Sequence, residues 1–134
     1  MTDHHYACHV RFSDVDVYGH VNNVKYFEYY QEARLAFVES LGWALDDPRP
    51  GFVVARIDVD YKRPILFRTE PYDVTTRVAR VGTSSYHLDC AINDGESLLS
   101  TASVVMVRID PGTGRPQPLT ESERARLELT PRSC

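Results

Sequence analysis

An α+β fold, with one long helix lying on a mostly antiparallel sheet, is the class this sequence predicts. A helical apolar repeat runs through Tyr26, Tyr29 or Tyr30, Ala33, Phe37 and Leu41, whereas most of the remaining chain alternates apolar and polar residues in short segments. The order is a strand, the helix, then four strands joined by short turns. In such an order helix and sheet each bury one face against the other.

The alternation from Cys8 to Ser13 predicts a first strand leading into the loop DVDVYGH, where Gly19 supplies a tight turn. The helix is expected over residues 23–41, with Asn22 or Asn23 as its side-chain cap and Gly42 beyond its end. LDDPRPG reads as a connector. After it Val53, Ala55, Ile57, Val59 and Tyr61 form one face of a strand, and Arg56, Asp58 and Asp60 the other. Two more alternating runs follow, Tyr72 to Val78 and Tyr86 to Ile92. Leu98 to Ile109 is partly apolar on both faces, as a central strand would be. The NDG at 93–95 marks a hairpin, since Asn, Asp and Gly tolerate the left-handed backbone its turn requires. Pro111 to Pro118 ends the sheet, and Thr120 with Glu123 fits a capping box opening a short final helix.

At 134 residues the chain suits one domain, residues 1–134, burying about two-thirds of its unfolded surface. A net charge of −4, with fifteen Lys and Arg residues dispersed, argues against a surface made for a nucleic-acid backbone or an anionic membrane. The cysteines Cys8, Cys90 and Cys134 lack the count and spacing of a disulfide framework or zinc knuckle, so reduced thiols in a cytoplasmic protein are expected. His4, His5 and His9 have no acidic or thiol pattern around them that would make a designed metal site, and no metal is expected. MTDHHYACHV has no basic segment followed by an apolar one. No apolar run approaches the roughly 20 residues that span a bilayer, so neither export nor membrane insertion is expected.

Chemistry concentrates in RFSDVDVYGHVNNVKYFEYYQEAR, residues 11–34. Two carboxylates, a glycine turn, an imidazole and two amides precede a helix start, where free N–H groups attract negative charge and can hold a developing oxyanion. A nearby carboxylate could activate water or attack a carbonyl. Carboxylates beside a helix start are as often simply caps.

The pattern Asp16-Val-Tyr-Gly-His20-Val-Asn22-Asn23, continued by Tyr26, Glu28 and Ala33-Arg34, resembles the opening signature of the 4-hydroxybenzoyl-CoA thioesterase family. It is most similar to that family's long-chain acyl-CoA thioesterase branch. The likeness continues through VVARIDVDYKRPILFRTE at 53–70, GTSS at 82–85, VVMVRID and LTESERARLE, and so covers nearly the whole chain. It implies a hotdog fold, in which a curved antiparallel sheet wraps the long helix. It also implies homodimers joined edge to edge, alone or paired into tetramers, with active sites at the dimer interface.

The same resemblance implies hydrolysis of acyl-CoA thioesters, with Asp16 as general base or nucleophile. The backbone amides of Gly19 and His20 would polarise the carbonyl, and Asn23 would orient substrate or water. No cofactor is implied, because coenzyme A belongs to the substrate. Its phosphates need positive charge or amides, for which Lys62, Arg63, and Arg80 with Gly82, Thr83 and Ser84 are the candidates. Tyr26, at the site end of the tyrosine stripe, and Asp58 complete the expected substrate contacts. Plainer roles compete throughout: a loop hydrogen bond for His20, a cap for Asn22, core packing for the tyrosines, an ion pair for Glu28 and a structural role for Asp14. The chain has no G-x-S-x-G elbow, which leaves a carboxylate as the better reacting group. A hotdog enoyl-CoA hydratase would carry a histidine-led motif on the helix, which here begins NNVKYFEYY. A non-catalytic acyl-CoA or partner-binding protein is the remaining alternative.

Overall fold

A computed structural model describes residues 3–43 and 51–129. Its elements in chain order are β1 (His4–Cys8), a 3-10 turn (Phe12–Asp14), α1 (Lys25–Ser40), β2 (Gly51–Tyr61), β3 (Tyr72–Val81), β4 (Ser85–Asp94), β5 (Ser97–Ile109) and α2 (Glu121–Leu129). The strands form one antiparallel sheet in the order β1-β3-β4-β5-β2, with α1 packed against it. This is the hotdog arrangement.

The core lies between α1 and the sheet. Tyr30, Ala33 and Phe37 from the helix meet Val74, Val78, Leu88, Ile92 and Val104 from the strands, all at most 1% exposed. Burying each large side chain of this kind contributes about 1.5–3 kcal/mol. Gly42, at φ +85°, ends α1 where the sequence puts it, and its N–H donates to the Glu39 carbonyl. The NDG hairpin joins β4 to β5, with Gly95 at φ +61°. The Thr120–Glu123 box closes reciprocally, Thr120 N–H on Glu123 Oε1 at 2.9 Å and Glu123 N–H on Thr120 Oγ1 at 3.1 Å. Trp43 stacks on Phe52 of β2, and both rings stand edge-on to Tyr86 of β4.

Three local expectations are corrected. The first strand is His4–Cys8 and ends where the expected strand, Cys8–Ser13, begins. Past Cys8 the chain leaves the sheet, because Arg11 and Asp14 bond to each other and wind residues 12–14 into a turn that leaves Phe12 81% exposed. Neither Asn22 nor Asn23 caps α1 with its side chain; the helix opens at Val24 through a tight turn of backbone. Along β2 the alternation breaks at a bulge between Val54 and Arg56. Phe52 and Val54 therefore share the helix side with Ile57, Val59 and Tyr61, while Val53 turns outward, since paired residues in adjacent strands share a face. β2 is an edge strand, which leaves Val53, Val54 and Tyr61 each more than 40% exposed. The segment 44–50, which holds most of the connector, and Cys134 lie outside the described residues. Among the described residues no helix is long and apolar enough to cross a membrane.

Candidate active site

The loop between β1 and α1 is organised by two aspartates with opposite surroundings. Asp14 is fully buried. Its Oδ2 accepts the Tyr29 hydroxyl at 2.7 Å, the Arg11 backbone N–H at 3.0 Å and Arg11 Nε at 3.2 Å, while Oδ1 faces Arg11 Nη2 at 3.0 Å. Burial alone pushes this carboxyl up. The hydrogen bonds from Tyr29 and Arg11 more than reverse that and hold it below the usual carboxylate range. Glu28 completes the cluster, ion-paired to Arg11 at 2.9 Å and Lys25 at 3.0 Å. Asp14 is thus bonded to both the loop and α1, and its carbonyl also accepts the Asn22 N–H at 2.9 Å.

The 3-10 turn closes at the buried Asp14, whereas Asp16 is exposed. Asp16 Oδ1 accepts the N–H groups of Tyr18 (2.9 Å) and His20 (3.1 Å), and the Asp16 carbonyl accepts Gly19 N–H (3.0 Å). Gly19, at φ +76°, lets the chain turn back so that Asp16 N–H reaches the His20 carbonyl at 2.9 Å. Among the described residues Asp16 Oδ2 carries no hydrogen bond.

These bonds take up the two amides expected to polarise the carbonyl. The Gly19 and His20 amides are already engaged by Asp16. Lys25, Tyr26 and Phe27 donate to the carbonyls of Asn22, Asn23 and Val24, leaving Asn23 and Val24 with the unengaged N–H groups at the helix start among the described residues.

A cleft of about 390 Å³ opens here, and Asp16, His20, Asn23, Tyr26, Lys62 and Arg63 all line it. Lys62 and Arg63 are held by their backbone, both N–H groups donating to the Leu99 carbonyl at 2.9 and 3.0 Å. Their exposed side chains form no ion pair among the described residues. Tyr61 also lines the cleft, packs edge-on against Tyr26 and donates its hydroxyl to the Asn23 carbonyl at 3.1 Å. The alternation of β2 marks Tyr61 only as a strand residue. Its position directly before Lys62-Arg63-Pro64, where the strand must stop, is the signal that could have found it.

The other expected contacts lie elsewhere in this chain. Asp58 is ion-paired with Arg56 at 2.9 Å and lines a separate groove on the outer sheet face. Arg80 and the turn 82–84 sit at the far end of the sheet. There Arg108 N–H bonds the Ser84 carbonyl, Leu119 N–H the Thr83 carbonyl and Arg124 the Gly82 carbonyl. The cleft is at the Tyr61 end of β2 and that turn at the Gly51 end, about 30 Å away along the strand.

Residues 10–127 match the thioesterase-like superfamily. FadM, a long-chain acyl-CoA thioesterase of Escherichia coli K12, is 30% identical over 125 residues, which takes in 89% of this chain and 92% of FadM. YsmA of Bacillus subtilis strain 168 is 32% identical over 125 residues, covering 88% of this chain and 80% of YsmA. Among solved structures, a thioesterase from Thermus thermophilus complexed with coenzyme A and zinc superposes with a TM-score of 0.81 at 33% identity. That superposition covers 93% of this chain and 92% of the other.

Proposed function

Because this chain belongs to the thioesterase-like superfamily, we propose that it hydrolyses acyl-coenzyme A thioesters to a free acid and coenzyme A, with Asp16 as the reacting carboxylate. One observation carries the reading: an aspartate with Oδ1 pinned by two backbone N–H groups and Oδ2 left open shares a cleft with the start of a helix that has unengaged amides.

In this mechanism the thioester oxygen lies at the Asn23 and Val24 N–H groups, whose charge complements the oxyanion of the tetrahedral intermediate. Asp16 Oδ2 takes a proton from water that attacks the carbonyl, or attacks it directly and is then released by water. The thiolate leaves without strong acid assistance, since a thiol pKa near 8.5 is far below that of an alcohol. Asn23 orients water or substrate, Tyr26 borders the acyl group, and His20 holds the loop. No cofactor is required by this chemistry.

Lys62 and Arg63 meet the phosphates of coenzyme A. Replacing both with alanine is expected to raise KM about 5- to 50-fold with kcat little changed, because phosphate contacts are uniform binding. Steady-state kinetics at two ionic strengths checks this; the loss should narrow at high salt.

The long unpaired edge of β2 supports a homo-oligomer built by joining sheets there. If two copies pair β2 antiparallel about a two-fold axis, the Tyr61 end of one lies beside the Gly51 end of the other. The second copy's Arg80 and turn 82–84 then approach the first copy's cleft, which reunites the substrate contacts that one chain separates. Asp58 retains no substrate role in this arrangement. A cytoplasmic location accords with a coenzyme A substrate.

A thiol-release assay across short, medium and long aliphatic acyl-CoAs, benzoyl-CoA and phenylacetyl-CoA tests the reading. Turnover of one class is expected. Binding of coenzyme A esters with no hydrolysis of any would overturn it in favour of a binding role.

A further inference from the structure

We infer that Tyr61 is a positioning residue for this site: it holds and polarises the peptide that presents the helix-start amides. The inference rests on the thioesterase reading for its kinetic consequence and on the geometry alone for the contact.

Tyr61 is the last residue of β2, fixed by its pairing with Ser100 of β5. From that anchor its hydroxyl reaches across to the Asn23 carbonyl, 38 residues away in sequence, at 3.1 Å. That carbonyl and the Val24 N–H belong to one peptide group. A donor on the oxygen draws electron density toward it and makes the N–H at the other end a stronger donor, the cooperativity expected of chained hydrogen bonds. The helix's own bond to this oxygen is weak, since Tyr26 N–H lies 3.3 Å from it. Tyr61 is therefore the shorter of its two donors. The contact also fixes the plane of the 23–24 peptide against the cleft wall, and so holds the neighbouring Asn23 N–H. The ring is steadied independently by Tyr26, with centroids 4.7 Å apart at 72°. Removing only the hydroxyl would leave that packing in place.

Tyr61→Phe tests this with two readouts. In kinetics on the acyl-CoA that the wild type turns over fastest, kcat is expected to fall about three- to fivefold. That is a fraction of the hundredfold or more that loss of a direct oxyanion donor costs. KM should stay within about twofold, because an interaction that strengthens with developing charge acts on the transition state. In isotope-labelled protein without ligand, the Asn23 carbonyl-carbon and Val24 amide-proton resonances are expected to move, while resonances in β3 and β4 stay put. An unchanged kcat, or a lower kcat with both resonances unmoved, would overturn the inference. Failure of the wild type to hydrolyse any acyl-CoA is a different result. It would sink the thioesterase reading, and the resonances would then decide the Tyr61 contact alone, their constancy overturning it.

Discussion

Asp16→Asn is expected to lower kcat by about 10²- to 10⁴-fold, the range that a positioned acid–base group contributes, while coenzyme A ester binding is retained. The substitution isolates the reacting atom. Asparagine keeps an oxygen that can accept the Tyr18 and His20 N–H groups, so the loop that shapes the cleft has no reason to open. What it loses is the second oxygen, the one that would take a proton from water or form an anhydride with the acyl group. Steady-state turnover measured beside calorimetric binding of a coenzyme A ester separates the two effects. A variant that retains wild-type turnover would move the chemistry away from Asp16. The His20 ring stands beside the same cleft and would be the next residue to replace.

Asp14→Ala should lower stability by about 2–4 kcal/mol, the size expected for losing several hydrogen bonds to one buried charge. The Tyr29 hydroxyl would be stranded in the core, and the 3-10 turn would lose the side chain that closes it. Arg11 is more than half exposed, so its share of the loss is small. Urea unfolding at fixed protein concentration measures the change. A loss below about 0.5 kcal/mol, the level of an ordinary surface substitution, would refute the role given to this carboxylate.

The pH dependence has a definite sign. The folded-state carboxyl of Asp14 lies below its unfolded value, so its stabilisation is present above an unfolded pKa of about 3.9 and is lost as pH falls through the lower folded value. The gap in stability between wild type and Asp14→Asn should therefore be widest near neutrality and shrink in acid.

The elements whose pattern is local were legible in the sequence: α1 from its aromatic repeat, β3 to β5 from alternation, the NDG hairpin, Gly42 and the Thr120–Glu123 box. The misread features turn on which backbone group each side chain or carbonyl engages, which alternation and composition do not show. The run from Cys8 to Ser13 alternates as a strand does, yet Asp14 takes the Arg11 N–H and turns it. Asn22 and Asn23 have cap chemistry, but their carbonyls rather than their side chains open the helix. The cleft was legible in large part, since Asp16, His20, Asn23, Tyr26, Lys62 and Arg63 all border it. Which amides stay free was not, because that depends on Asp16 engaging Gly19 and His20 first. Residues 80–84 resemble a ligand-binding turn, but nothing local to a turn says at which end of a sheet it will lie.

The chain's single tryptophan gives the edge of the sheet its own optical signal. Trp43 lies flat on Phe52, near the start of β2, with the indole and Phe52 rings nearly parallel at 4° and Tyr86 across from them. Solvent reaching the indole would shift its emission to longer wavelength. A change in the Gly51 end of β2 would thus register in fluorescence, while within the same chain the Tyr61 end, at the cleft, would stay largely silent. Quenching by acrylamide could then follow the Gly51 end of the edge strand separately from the cleft end of the same strand.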